Sequence, residues 1–222
     1  MVSIALDGPA GAGKSTVAKG AAKALGFIYA DTGALYRTVG LKFLREGYNT
    51  ELDCDIDSVL STIEVSIKFI DGAQHVFLNG EDVSDEIRTP EASMMASAVS
   101  AKPPVRAFLL EMQRKLAREN NVIMDGRDIG TVVLPNATVK FFVTASVSER
   151  ANRRFKELKE KGMDVNYDDI YKDIEIRDYN DSHREIAPLK PAKDSIMFDT
   201  TGNTLEQSIE KLITIIKERL NG

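Results

Sequence analysis

Apolar residues follow two rhythms along this chain. Short, mainly apolar runs at Val2–Leu6, Phe27–Ala30, Val122–Met124, Val139–Val143 and Ser195–Phe198 have the length of buried strands. Between them, longer stretches repeat apolar residues every three or four positions. Lys14–Leu25 carries Val17, Ala21, Ala24 and Leu25 at that spacing, which predicts a helix, and Gly26 is a natural stop. Thr32 reads as the cap of a second helix running to about Arg45 and ended by Gly47. Further helices are expected near 92–101, 105–120, 146–161, 167–179 and 204–220, with Pro103-Pro104 at a helix start. Five strands alternating with helices predict an α/β protein with a five-stranded parallel core sheet flanked by helices.

One segment breaks the rhythm. From about 63 to 91 the pattern turns to two strands, Val65–Phe69 and Gln74–Leu78, around Asp71-Gly72, a strong hairpin signal. Asn79-Gly80 marks another turn. The expectation is a small antiparallel β insert within one unit of 222 residues.

Bulk properties narrow the function classes. Hydrophobic residues at 43% and charged residues at 28% are ordinary for a globular chain, and no apolar run is long enough to span a bilayer. No membrane association and a cytoplasmic location are expected. The single cysteine, Cys54, cannot form an internal disulfide. A net charge of −5 supplies no global field for nucleic acid. Any phosphate chemistry must therefore rest on locally placed arginines.

The first strand runs into Gly8-Pro9-Ala10-Gly11-Ala12-Gly13-Lys14-Ser15, a full G-x-x-x-x-G-K-[ST] loop between strand and helix. Its glycines let the backbone turn N–H groups inward, and the following helix start, with Thr16, favours an anion. Lys14 is expected on the outer phosphates of ATP and the Ser15 hydroxyl on Mg²⁺. There is no Asn-Lys-x-Asp segment of the kind used to select guanine. Asp199-Thr-Thr-Gly202 fits the D-x-x-G pattern of GTPases but lies too late in the chain.

Other signals suggest a second, acceptor site. Asp31-Thr-Gly-Ala-Leu-Tyr-Arg37 follows the second strand, and Asp125-Gly-Arg-Asp128 follows the third core strand. In open α/β sheets ligands sit beyond the carboxyl ends of strands, so Arg127 and Asp128 are placed either to touch substrate or to form a salt-bridged turn. Arg150, Arg153 and Arg154 fall on one face of a charged helix; such clustered like charges suggest an anion, although on their own a solvated face is the favoured reading. Arg177, Asp181 and Arg184 follow at intervals that allow a shared helix face before Pro188.

With these motifs, together with Gly80-Glu-Asp-Val-Ser-Asp-Glu-Ile-Arg88, the continuation to Thr131 and Ala187-Pro-Leu, the chain resembles the bacterial cytidylate kinases from first strand to last helix. The resemblance implies a P-loop nucleoside monophosphate kinase fold with a core (1–62, 92–145, 185–222), a monophosphate-binding insert (about 63–91) and a helical lid (about 146–184). It implies that Ser97, Arg106 and Asp128 read cytosine, that Arg37, Arg127 and Arg184 hold the acceptor phosphate, and that Arg177 and Asp181 contact the ribose. Thr32 belongs to the same CMP site, standing where many relatives have serine. Arg150, Arg153 and Arg154 would close over the ATP phosphates, with Lys14, Arg127, Arg153 and Arg184 acting on the transferred group. Asn180 and His183 stand where some members have arginine. The implied reaction is ATP with CMP or dCMP, Mg²⁺-dependent, in a monomer. The nearest rivals are kinases for UMP, AMP or shikimate; a non-catalytic nucleotide-binding module is the rival from another class.

Overall fold

The computed structural model describes residues 1–221. In chain order the elements are β1 (Ser3–Asp7), α1 (Lys14–Leu25), β2 (Ile28–Asp31), α2 (Thr32–Arg45), α3 (Ile56–Leu60), β3 (Val65–Ile70), β4 (Ala73–Leu78), β5 (Glu81–Asp82), α4 (Pro90–Ser100), α5 (Pro103–Glu119), β6 (Val122–Gly126), β7 (Val139–Thr144), α6 (Val147–Glu160), α7 (Tyr167–His183), β8 (Ile196–Asp199) and α8 (Leu205–Asn221). A 3-10 turn covers Glu86–Arg88 and a wide π-turn covers Ile129–Val133.

The apolar strands pair as expected, into a five-stranded parallel sheet of order β2-β6-β1-β7-β8. Successive residues of a strand face opposite sides. On β1, Ile4 and Leu6 pack with Val17, Ala21, Phe141, Leu212 and Ile216, under α1 and α8. Ala5 faces the other way, onto Met124, Ala117 and Ile129 beneath α5 and the π-turn. Both faces are covered, which is why these strands read as continuous apolar runs.

The insert is a three-stranded antiparallel sheet of order β3-β4-β5. The expected hairpin closes at Asp71-Gly72 with Ile70 opposite Ala73, and Asn79-Gly80 turns the chain into β5, a strand of two residues that periodicity cannot reveal. Its apolar side, with Val65, Val76 and Leu78, shares a core with Leu35, Val39, Phe43, Met95 and Leu109 of α2, α4 and α5. Arg45 on α2 also reaches Glu81 and Glu86.

Several local expectations shift. Thr32 does not cap α2: Asp31 Oδ1 accepts from Ala34 N–H at 3.0 Å, and the Thr32 hydroxyl donates to the Asp125 carbonyl at 2.8 Å. An extended Asp31 places its carboxylate over the first turn one residue earlier than the threonine hydroxyl would sit. α4 begins at Pro90 behind a Thr89 cap, and β6 continues through Asp125, a residue normally excluded from strands. α7 ends at His183, so Arg184 is extended and off the helix, well before Pro188. α3 is too short to show a period.

Gly8, where β1 enters the phosphate loop, sets a strict packing limit. Its φ is +148°, and a Cβ there would lie 2.0 Å from the Val143 carbonyl oxygen on β7. Gly8→Ala should cost roughly 2–4 kcal/mol from strain and backbone clash, read as a lowered urea midpoint. An unchanged midpoint would contradict this account of the loop entry.

Candidate active site

The carboxyl ends of β1, β2 and β6 open into one cleft of about 630 Å³, walled by α4, α6 and α7. Every residue proposed from the sequence to bind ATP or CMP lines it except Gly8 and Pro9. Gly13, at φ +83°, starts α1 with no side-chain cap, so the first N–H groups of the helix lack the side-chain acceptor that Asp31, Thr89, Ser146 and Asn166 provide elsewhere. That leaves this helix start suited to an anion.

Lys14 is buried, with its ammonium donating to the Pro9 carbonyl at 2.8 Å. Burial, reinforced by the nearby Arg127, pulls its pKa down, while Asp125 and Asp7 oppose the shift. Asp7 accepts from Ile129 and Gly130 N–H, both at 2.7 Å, and burial raises its pKa to about 6. Asp125 receives the Ser15 hydroxyl at 2.7 Å and the Tyr29 hydroxyl at 3.0 Å; burial, with Asp31 nearby, raises its pKa as well. Sequence reasoning gave no role to Asp7, Asp125 or Tyr29. The available signal was an acidic residue at the carboxyl end of each of two apolar strands.

On the opposite side, arginines meet acids. Arg106 pairs with Asp128, both largely buried, and also donates to the Ser100 carbonyl. Arg184 approaches the other Asp128 oxygen at 3.6 Å, beyond hydrogen-bond length, and its Nη2 is buried without a hydrogen-bond partner. Arg127 donates through Nε to Asp181 at 2.7 Å. Burial lowers Arg127, but Asp181 more than offsets this and leaves it raised. Arg37 pairs with Asp31 at 2.8 Å. Burial lowers the pKa of both Arg177 and Arg184. Ser97 lies on the α4 wall. Of the alternatives for Asp125–Asp128, the salt-bridged turn is present, and its Arg127 and Asp128 also line the cleft.

The arginines of α6 all line the cleft, but none is left without an acid partner. Arg150 is buried and turned inward: it donates to Asp178 at 3.0 Å, to the Ala10 carbonyl at 2.9 Å and to the Ala145 carbonyl at 3.0 Å. Arg153 reaches Glu149 and both oxygens of Thr200, and Arg154 reaches Glu157. Each has its own acid, so the repulsion inferred from their spacing is neutralised within the protein.

Among the described residues no group of three His, Cys, Asp or Glu side chains converges as a metal cage, and no helix is long and apolar enough to cross a membrane.

The cytidylate kinase family model matches residues 4–218. Among curated proteins, the chain is 51% identical over 214 residues to a cytidylate kinase of Caldicellulosiruptor bescii, covering 96% of this chain and 95% of that one. It is 51% identical over 221 residues to one of Caldanaerobacter subterraneus subsp. tengcongensis (100% and 97%) and 49% identical over 222 residues to one of Lactobacillus johnsonii (99% and 95%). An uncharacterized protein from Eubacterium ventriosum shares the fold at a TM-score of 0.55 and 12% identity, with 98% of this chain and 99% of that one covered.

The depressed Lys14 pKa has a measurable consequence. A polyphosphate in the loop adds negative charge beside the ammonium and raises its pKa. Binding of ATP at pH 8 should therefore take up protons, seen calorimetrically as an apparent binding enthalpy that depends on buffer ionisation enthalpy. No buffer dependence would refute the burial argument.

Proposed function

The chain belongs to the cytidylate kinase family, and from that membership we propose that it transfers the γ-phosphoryl group of ATP to CMP and dCMP by direct in-line displacement. One observation carries the reading. A glycine-rich phosphate loop faces a second set of partly buried arginines across a single cleft, and one of those arginines, Arg184, has a buried Nη2 with no hydrogen-bond partner. A buried unsatisfied guanidinium nitrogen is costly, and a phosphate oxygen is a matching acceptor.

In this reading the Gly8–Ser15 loop and Thr16 hold the ATP phosphates, and Lys14 neutralises charge on the outer ones. Arg153 and Arg154 lie on the ATP side of the cleft, and Arg150 braces the loop from behind through the Ala10 carbonyl. Arg37, Arg127 and Arg184 orient the acceptor phosphate. Asp181 and Arg177 address the ribose, and Thr32 belongs to the same CMP site. Asp128, steadied by Arg106, accepts from the amino group of cytosine, with Ser97 beside it; uracil presents a carbonyl there, which sets two acceptors against each other.

The donor set also fits Mg²⁺. Ser15 Oγ and Asp125 Oδ2 are hard oxygen donors 2.7 Å apart at the loop, and with no protein cage the ion would take its other ligands from phosphate oxygens and water. When bound it supplies charge neutralisation on the β and γ oxygens. Asp125 would hold it through Ser15 and solvent, while Tyr29 fixes the carboxylate. The acceptor is already an anion near neutral pH, so no strong general base is required. Positioning and charge neutralisation are the protein's contribution.

We assign the core to 1–62, 92–145 and 185–222, the monophosphate-binding insert to about 63–91, and the lid to about 146–184. The lid has its own small core of Ala151, Ile170 and Ile174, which lets it swing as a unit and exclude water on closing. One chain supplies both halves of the site, so the proposed catalyst needs no second subunit; a monomer acting in the cytoplasm is the proposed form.

A panel of acceptors with MgATP tests the assignment: CMP and dCMP should be turned over faster than UMP, AMP or shikimate. A faster rate with AMP or UMP would replace the cytidylate reading by another kinase, and ATP binding with no transfer to any acceptor would favour a binding module. Lys14→Ala should lower kcat by at least about 100-fold, by single-turnover kinetics. Asp128→Ala should cut the CMP-over-UMP preference in kcat/KM by about 5–100-fold, from the roughly 1–3 kcal/mol cost of an unpaired polar group. An unchanged preference would remove Asp128 from base recognition.

A further inference from the structure

β4 alternates, and its inward side carries Gln74, Val76 and Leu78. Val76 and Leu78 are buried in the core shared with α2. Gln74 is the polar member of that stripe, and its amide has a specific use. Its Oε1 accepts from the Asp31 backbone N–H at 2.8 Å, and its Nε2 donates to the Asp31 carbonyl at 3.2 Å. β2 is the edge strand of the five-stranded sheet. One primary amide thus satisfies both backbone groups of the last β2 residue, as a neighbouring strand would.

Asp31 is where three constraints meet. Its Oδ1 caps α2, its Oδ2 holds Arg37, and its backbone is gripped by Gln74. The next residue, Thr32, bonds the Asp125 carbonyl. Any shift of Asp31 therefore moves Arg37 and Thr32, both in the cleft wall. The remaining attachments of the insert are apolar packing, which is not directional, and the exposed pairs of Arg45 with Glu81 and Glu86.

We propose that Gln74 is a positioning residue for the acceptor site, its side-chain amide fixing the insert to the backbone of Asp31 and so setting where Arg37 meets the acceptor phosphate. This rests on the reading of Arg37 as an acceptor-phosphate ligand. Gln74 touches no substrate itself. Its own hydrogen bonds end at Asp31, so its effect falls on acceptor affinity, while the ATP loop follows β1, beyond β6.

The test is steady-state kinetics of the full chain with MgATP and CMP, comparing Gln74→Leu, Gln74→Glu and Arg37→Ala. Gln74→Leu keeps the apolar volume and removes both bonds. It should raise KM for CMP by about 5–30-fold while KM for ATP changes less than twofold, the range expected for two lost hydrogen bonds. Gln74→Glu keeps an acceptor for the Asp31 N–H but sets a carboxylate against the Asp31 carbonyl. It should show the same selective rise, and it decides the matter if the leucine variant fails to fold. If Arg37→Ala raises KM for CMP at least tenfold while both Gln74 variants stay within twofold of the parent, the positioning role is overturned and the acceptor reading stands. An equal rise in both KM values also overturns it, because that is general loosening of the fold. If Arg37→Ala leaves KM for CMP unchanged, the acceptor reading falls and the inference falls with it.

Discussion

A lysine ammonium buried under a glycine-rich loop is the constraint on which the rest of this structure depends. Taking such a charge out of water is unfavourable unless acids and carbonyls surround it. Lys14 has the Pro9 carbonyl above it and the carboxylates of Asp7 and Asp125 near it. Those two acids can stand together only because β1 and β6 are adjacent and in register, with Leu6 opposite Asp125 and Asp7 opposite Gly126. The parallel sheet order is therefore a condition of the charge balance at the loop, as well as a way of burying apolar strands.

The same acids carry order outward. Asp7 holds two N–H groups of the π-turn that follows Arg127 and Asp128. Asp125 orients Ser15 and Tyr29 through its side chain and Thr32 through its carbonyl. Both sides of the cleft are thus tied into one buried network, which suits a reaction whose main requirement is placing two anions in line.

The chain is acidic overall, at −5, yet it concentrates arginines around one cleft. Acids meet most of them: Arg37 has Asp31, Arg106 has Asp128, Arg127 has Asp181, Arg150 has Asp178, and Arg153 and Arg154 have Glu149 and Glu157. Such pairing keeps the guanidinium groups oriented without the repulsion that bare clustered cations would create. The guanidinium groups around the cleft are thus preorganised by their own acids.

What the sequence by itself determined was local and periodic. The apolar runs of the strands, the 3.6-residue spacing of the helices, the Asp71-Gly72 hairpin and the Gly8–Ser15 loop each depend on residues close together in the chain. So does the family resemblance, which is carried by contiguous motifs. Tertiary structure decided whatever depends on the partner across space. It gave the cap of α2 to Asp31 instead of Thr32, turned Arg150 inward to Asp178 and Ala10, ran β6 through a buried aspartate, and set Gln74 of the insert against the edge of β2. Periodicity reports which side of an element is buried. It carries no information on which distant carboxylate or amide will meet a given polar group, and in this cleft those meetings orient most of the charged side chains.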